Sequence, residues 1–87
     1  MQIRFLPRFK RAYRKLSVDN RNCVDEALQI FVVSPSDPRL YNHVLAGQMK
    51  GIRSLSAGYD LRILYRMEKN GAAMAIIMMV GTHDEVY

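Results

Sequence analysis

Two histidines and two side chains near them in the sequence are the residues best suited to acid–base chemistry. His43 and His83 are the two histidines of the chain, and imidazole can accept or donate a proton near neutral pH. Asp60 and Tyr87 fall in the same half of the sequence. A carboxylate can assist proton transfer, and an aromatic ring can stack on a base of single-stranded RNA. These four residues are the candidate catalytic set.

Basic side chains accompany the candidate set. Lys50, Arg53, Arg62 and Arg66 lie between residues 43 and 87, and the planar fork of arginine can donate two hydrogen bonds at once to a phosphate. Cleavage of RNA without a metal ion requires a base for the 2′-hydroxyl, an acid for the leaving 5′-oxygen and positive charge at the phosphate. The sequence contains each type of residue, so it suits a metal-independent ribonuclease without a cofactor.

A zinc site is a weaker interpretation of the same region. His43, His83, Cys23 and Asp60 could all be ligands, but their spacing matches no zinc motif. Cys23 also falls on an apolar helical stripe, where a thiol is more often packed than nucleophilic. Glycine-rich phosphate loops and G-x-S-x-G elbows are missing from the sequence. We therefore expect no metal.

The charge distribution indicates a polyanionic partner. The formal net charge is +5 in 87 residues, and more than half of the Lys and Arg residues precede residue 22. Four of them occupy the outer face of a predicted first helix: Lys10, Arg11, Arg14 and Lys15. Nucleic acid is favoured over a membrane because this helix lacks a bulky apolar insertion face, although a solvated helix face remains the alternative.

Cellular location follows from what the sequence lacks. The basic N-terminal segment has no apolar stretch or cleavage site of a signal peptide, and no apolar run is long enough to cross a bilayer. The single cysteine cannot form an internal disulfide. We expect a cytoplasmic protein of one domain, residues 1–87, without a membrane partner.

The first half of the chain predicts one strand and two helices. Alternation over residues 1–6 indicates a short strand. Apolar residues at helical spacing then indicate an amphipathic helix from residue 8, and a second one that runs to about residue 33. Ser17 or Asp19 is suited to cap the second helix. The proline-containing segment 34–38 ends it.

The second half predicts a loop and three strands. The loop, residues 39–47, carries His43. Strands are predicted at 50–56, 59–67 and 72–80, and residues 68–71 form a hairpin turn. The last strand is apolar on both faces, as expected of an interior strand.

Alternation within the 59–67 strand separates two sets of side chains. Asp60 and Arg62 fall on one face, while Leu61, Ile63 and Tyr65 fall on the other. The predicted fold is therefore α+β, with two N-terminal helices packed on one face of a small, mostly antiparallel four-stranded sheet. The opposite face of the sheet is available to a ligand.

Four motifs in the second half resemble a known family. They are an H-x-L-x-G segment at 43–47, K-G-x-R at 50–53, G-Y-D-x-R-I-L-Y at 58–65 and G-T-H-x-x-x-[YF] at 81–87. In this order they resemble the RelE superfamily of bacterial toxins, and most closely its YafQ-like mRNA interferases. The first half matches that family in its pattern of two helices.

The resemblance implies specific roles. His83 matches a catalytic histidine, and Tyr87 matches the aromatic residue that follows it. His43 and Asp60 match a histidine and an acidic residue of the YafQ-like site, and Arg62 aligns with an arginine that contacts the scissile phosphate in RelE. Ser56 stands where YafQ-like proteins often have a further histidine.

The resemblance also implies partners and products. A type II toxin of this kind would bind a cognate antitoxin and cleave mRNA on the ribosome, leaving 2′,3′-cyclic phosphate and 5′-hydroxyl ends. ParE toxins share the RelE/ParE-like fold but act by binding gyrase, and a plain RNA-binding module is a further alternative. The set His43, Asp60, His83 and Tyr87 favours the nuclease, because a binder has no chemical reason to keep these residues together.

Overall fold

The computed structural model describes residues 1–49, 51–70 and 72–87. In chain order, these residues form β1 (Gln2–Phe5), α1 (Pro7–Arg14), α2 (Val18–Val33), β2 (His43–Val44), β3 (Arg53–Ala57), β4 (Leu61–Asn70), β5 (Ala72–Thr82) and α3 (His83–Val86). Short 3-10 turns at Pro38–Leu40 and Gly47–Met49 flank β2.

Local signals set the starts of the N-terminal helices, within one residue of the predicted start for α1 and at one of the two predicted caps for α2. Pro7 is the first residue of α1, where its missing N–H would have no helical partner in any case. The Ser17 hydroxyl accepts a hydrogen bond from the backbone N–H of Asn20 at 3.1 Å, so Ser17 rather than Asp19 caps α2. The Tyr13 hydroxyl donates to Asp25 at 2.7 Å and joins the two helices.

One five-stranded sheet forms the scaffold, in the order β1-β5-β4-β3-β2. β1 runs parallel to β5, and the other pairs are antiparallel. β5 is an interior strand, as its apolar sequence predicts. The prediction of four strands was wrong by one, because the two residues of β2 are too few to show an alternating pattern.

The helices cover one face of the sheet, as predicted. α1 packs on β5 and α2 packs on β3. The core between them contains Phe9, Val24, Ala27, Phe31, Leu40, Leu55, Ala57, Leu61, Ile63, Tyr65, Ala75, Ile77 and Val80. These residues include the predicted core-facing set of the β4 strand.

The other sheet face, which we call the open face, carries the remaining strand side chains. Cross-strand partners share a face, so the pairing of His43 with Ser54, Ser54 with Leu64 and Leu64 with Met79 places all four there. Ser54 and Leu64 are nevertheless buried. The C-terminal helix α3 covers part of this face.

The strand bounds differ from the predicted ones in ways that affect the site. β3 begins at Arg53, and β4 begins at Leu61 because Ala57 and Leu61 form the last pair before a three-residue turn. Glu68 and Lys69 belong to β4 rather than to the predicted turn at 68–71, while Gly71 lies outside the described residues. Among those residues, no helix has the length and apolar character needed to span a bilayer.

Candidate active site

His43 is exposed at the edge of the sheet, and its ring orientation is set by one hydrogen bond. Its Nδ1 atom lies 2.8 Å from the carbonyl oxygen of Tyr41. A carbonyl can only accept a hydrogen bond, so Nδ1 must carry the proton. In the neutral imidazole the lone pair is then on Nε2, which is the atom able to accept a proton from a substrate.

Polar side chains fix the backbone that holds His43. Tyr41 has a left-handed conformation with φ of 51°, which is strained for a bulky residue. The Asn42 amide oxygen accepts from the Tyr65 hydroxyl at 2.8 Å and from Arg53 Nε at 3.0 Å. The Asn42 amide nitrogen donates to the Pro35 carbonyl at 3.0 Å. Together these bonds tie the loop before β2 to the buried hydroxyl of Tyr65.

Arg53 therefore has a positioning contact that the sequence did not predict. It is half-buried, and its Nε also lies 3.1 Å from the Tyr65 hydroxyl. By register Arg53 shares a face with Tyr65, which is the helix side of the sheet. It does not lie on the open face beside Arg62.

His83 is the first residue of α3, which directly follows β5. The backbone N–H of Thr82 donates to the Glu85 carboxylate at 2.8 Å, and this bond lowers the pKa of Glu85. A carboxylate in the first turn also suits the positive end of the helix. The cap holds the helix start, and with it His83, against the end of β5.

Gly81 allows α3 to lie close to the sheet. A Cβ at this position would stand 3.1 Å from both Glu85 Cβ and Val86 Cγ1, which is closer than carbon atoms normally pack. Close approach, and not a turn that needs a positive φ, is what this glycine provides, since the positive-φ glycines of the described residues are Gly47, Gly51 and Gly58.

Tyr87 connects α3 to the middle of the sheet. Its hydroxyl donates a short hydrogen bond to Ser54 Oγ, and Ser54 is completely buried. The Tyr87 ring also meets the His83 ring edge-on, with centroids 4.5 Å apart and an interplanar angle of 84°. The side chain is thus held both at its hydroxyl, by Ser54, and at its ring, by His83.

Ser54 links the two histidines. It is the cross-strand partner of His43 on the open face, and it accepts the hydrogen bond of Tyr87, which packs on His83. His43, Ser54, Tyr87 and His83 therefore form a continuous row of neighbouring residues. The sequence contained a weak signal for Ser54, a serine inside the strand R-S-L-S-A, but only tertiary structure shows which serine is buried under Tyr87.

Asp60 was predicted to lie on a strand, and this prediction was wrong. It is exposed in the turn between β3 and β4, so alternation no longer assigns it to the face of Arg62. Leu61, the next residue, pairs with Thr82. Asp60 is consequently placed at the same end of the sheet as His83, although no described side chain bonds to it.

The cations predicted to contact phosphate are distributed unevenly. Arg62 is half-buried on the open face opposite Ser56 and Gly81, and its Nη1 donates to the Leu61 carbonyl at 2.9 Å. Arg66 lies further along β4 and pairs with Glu68 at 3.2 Å. Lys50 lies outside the described residues.

The basic residues of α1 divide between two grooves. Arg11 and Lys15, with Arg8, border a groove beside Gly81 and Glu85, at the end of the sheet that carries α3. Lys10 and Arg14 border a different groove, formed by the stacked rings of Phe5, Phe9 and Tyr13. All four predicted cations are exposed.

Cys23 is half-buried beside the β3–β4 turn, where its Sγ would lie 2.9 Å from a Cβ at Gly58. Over residues 1–49, 51–70 and 72–87, no three His, Cys, Asp or Glu side chains cluster in a way that could hold a metal ion.

Comparison with known proteins identifies the fold. No protein-family model matches the chain, and no curated protein does. YafQ from E. coli is similar in structure, with a TM-score of 0.81 and 14% identity, and the alignment covers 99% of this chain and 97% of YafQ. This chain has the fold of the RelE-superfamily toxins.

Two further structures share the RelE-like fold. The YoeB/ParE toxin from Agrobacterium tumefaciens matches with a TM-score of 0.78 and 15% identity, over 95% of this chain and 99% of that one. A chain of the E. coli DinJ-YafQ toxin-antitoxin complex matches with a TM-score of 0.75 and 16% identity, over 99% and 96%. The resemblance seen in the sequence motifs is thereby confirmed for the fold.

Proposed function

We propose that this chain is the toxin of a type II toxin–antitoxin system, a member of the RelE superfamily most like YafQ, and an endoribonuclease that cleaves mRNA on the ribosome without a metal ion. The observation that carries the proposal is the row of neighbouring residues from His43 through Ser54 and Tyr87 to His83. Two groups suited to proton transfer stand at the ends of this row, and Arg62 lies on the open face of the same sheet.

In this proposal His43 is the general base. Its Nδ1–H is bonded to the Tyr41 carbonyl, so the Nε2 lone pair is directed away from the protein and takes the proton of the 2′-hydroxyl. The 2′-oxygen then attacks phosphorus as the bond from phosphorus to the 5′-oxygen breaks. The hydrogen bond at Nδ1 also stabilises the imidazolium that results, because a carbonyl accepts more strongly from a cation.

His83 is the general acid, and it gives its proton to the departing 5′-oxygen. The Tyr87 ring, nearly perpendicular to the imidazole, restricts rotation of that group, and Tyr87 is exposed enough for a base to stack on its ring. Arg62, and more remotely Arg66, supply positive charge as the phosphate gains negative character. Asp60, at the same end of the sheet, is assigned to orienting or recharging His83.

Two macromolecular partners follow from the proposal. Arg11 and Lys15 of α1 would contact RNA backbone, because they border the groove next to α3. A cognate antitoxin is supported by the fold shared with a chain of the DinJ-YafQ toxin-antitoxin complex. Action on ribosomes and mRNA would take place in the cytoplasm.

The chemistry of the product ends tests this function. The purified protein is incubated with mRNA on programmed ribosomes, in Mg²⁺ because ribosomes dissociate without it, and product ends are analysed chemically. We expect 2′,3′-cyclic phosphate and 5′-hydroxyl ends, as attack by the 2′-hydroxyl requires. 5′-Phosphate ends, which attack by a metal-bound water would leave, would overturn the mechanism. Growth inhibition that survives loss of both histidines would indicate a ParE-like toxin that does not cut RNA.

A further inference from the structure

A further concave surface is lined in part by His43. Its walls include Asp37, Tyr41, His43 and Arg53, and we call it the Tyr41 groove. Of these four residues the proton-transfer steps above use only His43, and neither the steps nor the sequence motifs assign a role to Tyr41 or Asp37.

The Tyr41 ring gives the groove an exposed aromatic wall. The residue is 75% exposed, yet its backbone is held in a left-handed conformation by the 3-10 turn before it and by the bond from its carbonyl to His43. An exposed aromatic side chain on a fixed backbone is a suitable surface for stacking a nucleobase.

Arg53 gives the groove a rigid pair of donors. Its Nε is engaged by Asn42 and Tyr65, which fixes the plane of the guanidinium group. Its Nη atoms have no hydrogen-bond partner among the described residues. Every buried polar side-chain atom of those residues does have a partner, so the Nη atoms are not buried and can reach solvent. Two parallel N–H donors in a fixed plane match two adjacent acceptors on a base edge.

Asp37 gives the groove an acceptor. Its carboxylate receives two hydrogen bonds from Arg39 at Oδ1 and one at Oδ2, which leaves one lone-pair position on Oδ2 of the roughly four that a carboxylate offers. The side-chain hydrogen bond from Arg39 lowers the pKa of Asp37 to about 2. The group is therefore ionised at every pH at which RNA cleavage would be measured.

We propose that the Tyr41 groove binds a guanine base of the RNA next to the cleaved bond, with the base stacked on Tyr41 between Arg53 and Asp37. This deepens the proposed function and rests on it, because it adds base selection to the same site. Guanine presents O6 and N7 as adjacent acceptors and has N–H donors on its opposite edge. Adenine would direct an amino group at the arginine, and a phosphate would make no use of the aromatic wall.

Binding of single nucleotides tests the groove without ribosomes or cleavage. The ¹⁵N-labelled full chain is titrated with GMP, AMP, CMP, UMP and ribose 5-phosphate at one ionic strength, and shifts are followed at the Arg53 Nε–H and at the backbone amides of residues 41 to 43. We expect GMP to bind roughly 5- to 100-fold more tightly than the other ligands, the range that one bidentate base contact provides.

Three variants sharpen the test. Tyr41→Ala should weaken GMP binding, while Tyr41→Phe keeps the ring and should preserve it. Arg53→Lys keeps the charge but loses the fork, so it should abolish the preference for GMP over AMP. Tyr59→Ala is the control, since Tyr59 is fully exposed on the β3–β4 turn and should change nothing. Thermal unfolding of each variant shows whether it is folded. If Arg53→Lys does not fold, Tyr41→Ala still tests the groove.

Each outcome separates this inference from the proposed function. Equal binding of all ligands, or binding of ribose 5-phosphate as tight as GMP, would overturn the guanine site and indicate only a phosphate contact. Cleavage without any preference for guanine near the cut would overturn it as well. Selective GMP binding by a protein that cleaves no RNA would leave the groove in place and remove the nuclease.

Discussion

The two histidines of the candidate site are held in place by different physical means. His43 lies on a two-residue edge strand, and polar contacts position it: the Tyr41 carbonyl at its ring and the Asn42, Arg53 and Tyr65 network behind it. His83 lies at the start of α3, and close packing positions it, through Gly81 beneath the helix and the Tyr87 ring beside it.

This difference predicts how the surroundings of each histidine should respond to substitution. A hydrogen-bond network at an exposed edge can be weakened stepwise, because water can replace a lost partner. A tightly packed helix cannot, because an added methyl group must displace the whole element. We therefore expect the His83 side to respond more sharply to small changes in volume than the His43 side.

Removal of either imidazole should have the largest effect. His83→Ala and His43→Ala should each lower the cleavage rate by roughly 10²- to 10⁴-fold, the usual contribution of a positioned proton-transfer group. Both side chains are exposed, so the free energy of unfolding should change little. Single-turnover cleavage rates and urea unfolding of the same samples measure the two quantities. If the free energy of unfolding fell enough to unfold much of the sample, the lower cleavage rate would be due to loss of folded protein instead.

Gly81→Ala should be the next most damaging change. The new methyl group would stand 3.1 Å from Glu85 Cβ and Val86 Cγ1, and overpacking of this kind costs about 1–3 kcal/mol. Because α3 is short, it should shift and carry His83 with it, so the cleavage rate should fall roughly 100-fold, as expected for a displacement near 1 Å.

A second substitution checks the cause of that loss. Val86→Ala removes one of the two clashing atoms, so the Gly81→Ala/Val86→Ala double variant should recover part of the activity. No recovery, together with normal activity of Val86→Ala alone, would show that close approach of α3 is not what Gly81 provides.

The hydrogen bond between the two halves of the site should have an intermediate effect. Ser54→Ala and Tyr87→Phe should each reduce the free energy of unfolding by about 1 kcal/mol, a typical value for one such bond. Since they remove the same bond, the double variant should cost little more than either single one. A coupling energy below about 0.5 kcal/mol in this cycle would mean that the bond is not formed. Ser56→Ala, on the same strand, is the matched control.

Removal of positive charge from α1 should have the smallest effect, and the effect should differ between the two grooves that the helix borders. Replacing Arg11 and Lys15 with Gln should reduce the salt dependence of RNA binding by roughly 1.4 in logarithmic slope, the value for two single-strand phosphate contacts. Replacing Lys10 and Arg14, which border the aromatic groove, should leave that slope unchanged. An equal reduction of the salt dependence in both double variants would show that α1 attracts RNA without preferring either groove.

Sequence periodicity predicted the parts of the fold that depend on burial. Phe9 and Phe31 face the sheet, and Leu61, Ile63 and Tyr65 fill the core, because each follows a pattern that repeats over several residues. The resemblance of the C-terminal motifs predicts both histidines and Tyr87 as site residues, and that assignment stays a prediction.

Features that depend on a single residue or on distant partners could not be predicted. Asp60 lies outside β4 because the turn between β3 and β4 takes three residues, 58–60, rather than the predicted two, while the faces of Leu61 and Ile63 stay as predicted. The burial of Ser54 depends on Tyr87, which is far away in sequence. Arg53 was predicted to contact phosphate. The sequence cannot distinguish an arginine whose Nε is bonded to Asn42 and Tyr65 from one whose donors are all free.

A substrate with a sulfur leaving atom tests the assignment of the two histidines most directly. In RNA with a 5′-bridging phosphorothiolate at the cut, the departing thiolate needs no proton, so a general acid becomes dispensable whereas a general base does not. Cleavage of this RNA and of normal RNA is compared for the wild type, His43→Ala and His83→Ala. We expect the sulfur substrate to restore His83→Ala to near the wild-type rate and to leave His43→Ala impaired. Rescue of His43→Ala alone, or of neither variant, would contradict the roles assigned here.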